Sequence, residues 1–175
     1  EEHVRFPGTL TLPQDQLCRI LQGQLDSLTR YGFRNFAFPS SHGGNTGMLE
    51  SFIRSYRKEH DACRMTTFIY FKCEVYKEHP ELFDNPVGLD VHAGEFETSI
   101  MLYLFPELVD DSVPREKWVD CNKPASALPV GWMSHECSSI GVIGDARTAC
   151  AEKGKKYFEI ACDWQAEKLR AFMGR

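Results

Sequence analysis

Between residues 13 and 73 the hydrophobic period switches three times between helical and extended spacing, and this alternation limits the fold more than any other feature of the chain. Pro13 to Tyr31 sets Leu17, Ile20, Leu21, Leu25 and Leu28 at steps of three and four, a single apolar stripe, with Gly32 where a helix would stop. Arg34–Pro39 is short and aromatic, bounded by Gly32 and Pro39, and predicts a buried strand. After the loop Ser40–Asn45, the residues Met48, Leu49, Phe52, Ile53 and Tyr56 return to helical spacing, and Met65 to Cys73 reads as a second strand. Helix, strand, helix, strand in that order implies α/β layering.

The remainder is less regular. Lys77 to Leu89 has loop composition, and a helix over Phe96, Ile100 and Leu104 ends before Pro106. Pro106 to Ser139, with Pro114, Pro124, Pro129 and Gly131, is expected to be irregular. Ile140–Asp145 predicts a short strand or turn, and Ala146 to Phe172 a terminal helix weakened at Gly154. No repeat or linker divides the chain, so residues 1–175 are expected to form one domain.

Composition removes several classes. With 42% hydrophobic residues, 26% charged residues and a net charge of −5, the chain has material for a core and no basic stripe, so neither disorder nor a nucleic-acid partner is expected. No apolar run approaches the roughly 20 residues of a membrane helix, and Glu1-Glu2-His3 is unlike a signal peptide. The seven cysteines are widely spaced, without a Cys-x-x-Cys pair, and read as reduced thiols of a cytoplasmic protein.

Two loops can carry chemistry. His42 follows the first strand, and Gly43-Gly44 leave space beside an imidazole suited to zinc, manganese or iron; the same histidine could instead cap the following helix or bond a loop carbonyl. The second loop gathers His92, Glu95 and Glu97 at a helix start. Glu97, five residues after His92, shares a face with it only if His92 lies in the turn before the helix, and acids at that end also complement the helix dipole. His135-Glu136-Cys137 reads as an ordinary loop, Trp132 as a lid or a buried anchor, and Glu152 to Lys156 as a solvated helix face.

Taken together, Phe6-Pro7-Gly8-Thr9, Ser41-His42-Gly43-Gly44-Asn45, His92-Ala93-Gly94 with Glu97-Thr98-Ser99, Met101-Leu102, Pro106-Glu107-Leu108-Val109 and Glu152-Lys153-Gly154 stand in the order of the creatininase (creatinine amidohydrolase) family, which the chain resembles over almost its whole length. The resemblance implies a three-layer α/β/α sandwich with a mostly parallel sheet, a site for one or two divalent ions (Zn, Mn or Fe) at the strand ends, and a homo-oligomer. It also implies hydrolysis of an amide or formamide C–N bond in a small, cyclic compound by a metal-activated water. By position His42 and Glu97 correspond to metal ligands and His92 to the catalytic histidine. His3 matches a histidine common before the Phe-Pro-Gly-Thr segment and, with Gly43 and Gly44, is placed beside substrate. Other family chemistry leaves two alternatives, ring opening of a keto-inositol and a non-catalytic subunit.

The chain also departs from the family. Gly44 stands where creatininase has a glutamate ligand, which makes creatinine a less favoured substrate and gives Glu97 the carboxylate role. The family's front segment, with its Glu-x-His-Gly-x-His-like motif, has no match here. A complementary N-terminal segment is therefore expected to complete the ligand set, since a hydrolytic site takes about three protein ligands.

Overall fold

A computed structural model describes residues 1–69, 74–85, 90–111 and 131–174, without the side chains of residues 74 and 76. The predicted strand residues 70–73 and most of the irregular stretch, including Pro114, Pro124 and Pro129, lie outside them. The chain divides into two compact units. One comprises residue 1, Leu10–Cys73 and Gln165–Arg175, and the other Glu2–Thr9 and Glu74–Trp164.

In the first unit the alternation read from sequence is realised. Helix α1 spans Gln14–Arg30, strand β1 Asn35–Ser40, helix α2 Thr46–Glu59 and strand β2 Arg64–Ile69. β1 and β2 pair in parallel from Asn35↔Arg64 to Ser40↔Ile69, as a helical crossover requires. α1 stops because Gly32, at φ +88°, turns the chain left-handed. The N–H groups of Gly32 and Phe33 then donate back to Thr29 and Leu28 at 3.0 and 3.2 Å, closing the last carbonyls of the helix. Leu25, Phe36, Phe52, Tyr56 and Cys63 form the buried core, packed by Leu21, Phe38, Met48 and Met65. The Tyr56 hydroxyl donates to Asp26 at 3.0 Å, and burial, assisted by that carboxylate, raises its pKa.

The second unit is built around helix α4, Glu95–Leu104, and the first part of helix α6, Ala151–Met173. The two approach so closely at Gly154 that a Cβ there would overlap the backbone of Ser99. Tyr157, one turn on, wedges between Phe83 and Phe96, with ring centroids 5.5 and 4.8 Å away. Of two short helices, α5 at Ser134–Cys137 lies in the stretch predicted as irregular, and α3 at Glu74–Glu78 overlaps the predicted loop only at Lys77 and Glu78. Ile140–Asp145 contributes a single bridge, Ile143 to His92, rather than a strand. The terminal helix starts at Ala151, not Ala146: the Asp145 carboxylate accepts Arg147 N–H at 3.1 Å and closes a separate tight turn at Ala146–Thr148.

These helices and the parallel pair make the fold α/β. Among the described residues no helix is long and apolar enough to cross a membrane. Cys137 is disulfide-bonded, which corrects the expectation that all seven cysteines are reduced, while Cys18, Cys63, Cys150 and Cys162 are free thiols. Gly154→Ala is expected to destabilise the protein by about 1–3 kcal/mol through overpacking against backbone. Gly32→Ala, which meets open space and only the cost of its backbone conformation, should lose about 1 kcal/mol. Urea denaturation of both variants measures the two values.

Candidate functional site

The second unit assembles its polar cluster around the start of α4. The buried Asp90 carboxylate accepts the Phe96 N–H at 2.7 Å, satisfying a first-turn donor that has no partner within the helix. Gly94 and Gly144 enclose that carboxylate so tightly that a Cβ on either would collide with it. Between Asp90 and the helix, the Val91 and His92 N–H groups donate to Ile143 O at 2.8 and 2.9 Å, and Ile143 N–H returns a bond to His92 O at 2.7 Å. Ala93 then adopts φ +50°, unusual for a residue with a Cβ, and reverses the chain into the helix.

This reversal places His92 in the turn before α4, which is the condition for it to share a face with Glu97. Glu97 Oε2 accepts the Ala93 N–H at 2.5 Å and lies 3.7 Å from His92 Nδ1. The two side chains are 36% and 25% exposed, so solvent and a small ligand can reach both. The His3 ring stacks on that of His92, with centroids 4.0 Å apart and planes 24° from parallel. His3 Nδ1 is 2.5 Å from the hydroxyl of Ser134, and the Ser134 N–H donates to Glu2 O at 3.0 Å.

Glu95 turns the other way. Fully buried, it accepts the N–H groups of Asp84 and Asn85 at 3.1 and 2.8 Å and an ion pair from Lys153. Lys153 also bonds Asp84 Oδ2 and Thr148 O, each at 2.9 Å. Burial works against the lysine charge, but its bonds to Glu95 and Asp84 outweigh that and hold its pKa above the usual lysine value. The expectation that Glu152 to Lys156 forms a solvated helix face therefore fails at Lys153.

His42, Gly43 and Gly44 belong to the first unit, where β1 ends and the tight turn Gly43–Asn45 begins. The Ser40 hydroxyl fastens that loop by donating to His42 O at 2.8 Å and accepting His42 N–H at 3.2 Å. His42 makes no side-chain cap to the turn, so the capping alternative is not what it does.

His3, His92 and Glu97 are thus gathered in one cluster within the second unit, and His42, Gly43 and Gly44 sit together on one loop of the first. The imidazole nitrogens and the Glu97 carboxylate are donors that zinc, manganese and iron accept. Sequence reasoning missed Asp90, Ser134 and Lys153, of which only Asp90, four residues before a glycine it crowds, left a local trace. Trp132 is 40% exposed and is not a buried anchor. His135-Glu136-Cys137 lies in α5 rather than an irregular loop, with Glu136 accepting the Met133 N–H at 2.8 Å.

The family profile for creatininase, creatinine amidohydrolase, matches residues 1–169. A mycofactocin precursor peptide peptidase of Mycobacterium tuberculosis (strain CDC 1551 / Oshkosh) is 32% identical over 181 residues, covering 98% of this chain and 62% of that protein. Creatinine amidohydrolase of Pseudomonas putida is 27% identical over 179 residues, covering 94% and 66%. The 3-dehydro-scyllo-inosose hydrolase of Thermotoga maritima is 24% identical over 200 residues, covering 99% and 61%. The chain thus spans less than two thirds of the length of these relatives. A solved creatininase matches with a TM-score of 0.80 at 26% identity, over 95% of this chain and 67% of its own. A manganese creatininase gives the same four values, and a Zn-Zn type of a mutant creatininase gives 0.77, 26%, 95% and 67%.

Replacing Lys153 with Met leaves the buried Glu95 charge uncompensated and is expected to cost about 3–5 kcal/mol in urea denaturation, whereas Glu152→Ala, on the exposed side, should stay within about 0.5 kcal/mol. Because the lysine pKa is raised on folding, the contribution is complete below the unfolded lysine value, and it disappears as pH rises through the higher folded value. Denaturation midpoints across that alkaline window should fall more steeply in the wild type than in Lys153→Met, where the raised Tyr56 pKa still contributes.

Proposed function

Because the chain belongs to the creatininase family, we propose that it takes part in metal-dependent hydrolysis of a C–N bond in a small, cyclic amide or formamide. The observation that carries this reading is the His92–Glu97 pair, 3.7 Å apart, partly exposed, and set on a backbone fixed by Ile143 and Ala93. Amide cleavage needs a group that takes a proton from water and returns it to the leaving nitrogen, and an imidazole titrates in the right range to do both. Glu97 Oε2 faces Nδ1 of His92 and favours a proton there, which assigns proton exchange with substrate to Nε2.

By their places in the family's motifs, His42 and Glu97 are each proposed as a ligand for a divalent cation, zinc, manganese or iron. When bound, the cation supplies Lewis acidity that polarises the susceptible carbonyl and makes water a competent nucleophile near neutral pH. His3, Gly43 and Gly44 line the substrate in this reading, and the working assembly is a homo-oligomer, which sedimentation tests. Relatives named for a creatinine amide and for a precursor peptide support the C–N bond as target. The Thermotoga maritima hydrolase supports a second reading, ring opening of a cyclic polyol ketone.

Assay of the protein with each metal against cyclic amides, formamides, short peptides and a keto-cyclitol distinguishes these readings. Metal content below about 0.1 ion per chain, with no turnover, would favour a non-catalytic subunit instead. His92→Ala is expected to lower kcat by about 100- to 10,000-fold while metal content stays at the wild-type level. His42→Ala and Glu97→Gln should each lower metal content and activity together. Wild-type metal content in Glu97→Gln would remove Glu97 from the ligand set.

A further inference from the structure

Ser134 belongs to none of the motifs that carry the family likeness, yet its hydroxyl bonds His3. Its side chain is fully buried, and a buried hydroxyl proton needs an acceptor. Among the described residues its hydroxyl bonds His3 Nδ1. Glu2 Oε1 lies 4.0 Å from the opposite nitrogen, Nε2, and a carboxylate on that side favours the proton there. Glu2, His3 and Ser134 therefore set one order of donors: Nε2–H toward Glu2, and the Ser134 O–H toward Nδ1. The backbone reinforces it, since Ser134 N–H donates to Glu2 O at 3.0 Å and Phe6 N–H to His3 O at 2.9 Å, fixing the segment on both sides of the ring. The His3 ring so held is the plane on which His92 stacks.

We propose that Ser134 is a positioning residue: its hydroxyl donates to His3 Nδ1, holds His3 in the Nε2–H tautomer, and through the stacked ring fixes the plane of the His92 imidazole. The catalytic consequence rests on the hydrolase reading above; the tautomer and the stack do not. Ser134 touches no reacting atom and acts through His3.

Nitrogen NMR of the chain labelled at histidine, about two pH units above the ordinary imidazole value, reads the tautomer directly. His3 is assigned by the signals missing from His3→Gln. The wild type should show a protonated Nε2 and a bare Nδ1 on His3. In Ser134→Ala these should move part of the way toward an average, since Glu2 still favours Nε2, and the His92 signals should shift, while Ser134→Thr, which keeps the hydroxyl, retains the wild-type pattern. Circular dichroism confirms folding; if Ser134→Ala does not fold, Ser134→Cys, a weaker donor, should give partial averaging. An unchanged His3 pattern in the variant without the hydroxyl, or a protonated Nδ1 in the wild type, overturns the proposal.

The kinetic arm expects kcat to fall about tenfold in Ser134→Ala, the scale of one lost hydrogen bond, with KM within about twofold and recovery in Ser134→Thr. Averaging of His3 with unchanged kcat overturns the positioning role. A wild-type chain that hydrolyses nothing in the panel overturns the hydrolase reading, and the NMR arm still decides the link from Ser134 to His92.

Discussion

The buried carboxylate of Asp90, aimed at the first turn of α4, is the contact on which the second unit depends. It supplies the acceptor that the Phe96 N–H lacks, and it occupies the space left by two glycines, Gly94 and Gly144. A helix start without such an acceptor leaves orphaned donors in a buried place, each worth about 1–3 kcal/mol. With α4 begun at that point, the two acids of its first turn face opposite ways. Glu95 is consumed in holding the fold through Lys153, and Glu97 is left beside His92.

What the sequence disclosed follows from where the physics is local. The apolar stripe of α1, the aromatic strand around Phe36 and the stop at Gly32 are all set within a few residues, and their places were read correctly. The front of α6 was misplaced because Asp145 and Arg147 close a tight turn whose signature, a single acid and a single base, is too slight to set against helical spacing. Lys153 was misread because a lysine among glutamates looks alike on a wet surface and above a buried carboxylate; only the 69-residue reach to Asp84 separates the two cases. The α3 and α5 turns are too short for a period to register.

The candidate site was legible in the same uneven way. The density of His92, Glu95 and Glu97 pointed to the segment, and the need for a turn before the helix was stated by geometry alone. Which acid faces the histidine was settled only by the partners of Glu95, none of which is a neighbour in sequence. Ser134, some 131 residues from His3, left no trace at all.

Ala93 carries a consequence for engineering. A residue with a Cβ at φ +50° bears about 1–2 kcal/mol that glycine would not, yet glycine gives up about 0.5–1 kcal/mol of chain entropy when it folds. The first outweighs the second, so glycine at position 93 would be mildly favoured in a selection for thermal tolerance. The alanine nevertheless narrows the conformations open to the His92–Gly94 turn, which couples the imidazole to the helix. A screen that ranks variants by melting temperature alone would therefore take glycine here and loosen that turn, so libraries built to harden the fold should leave the position fixed.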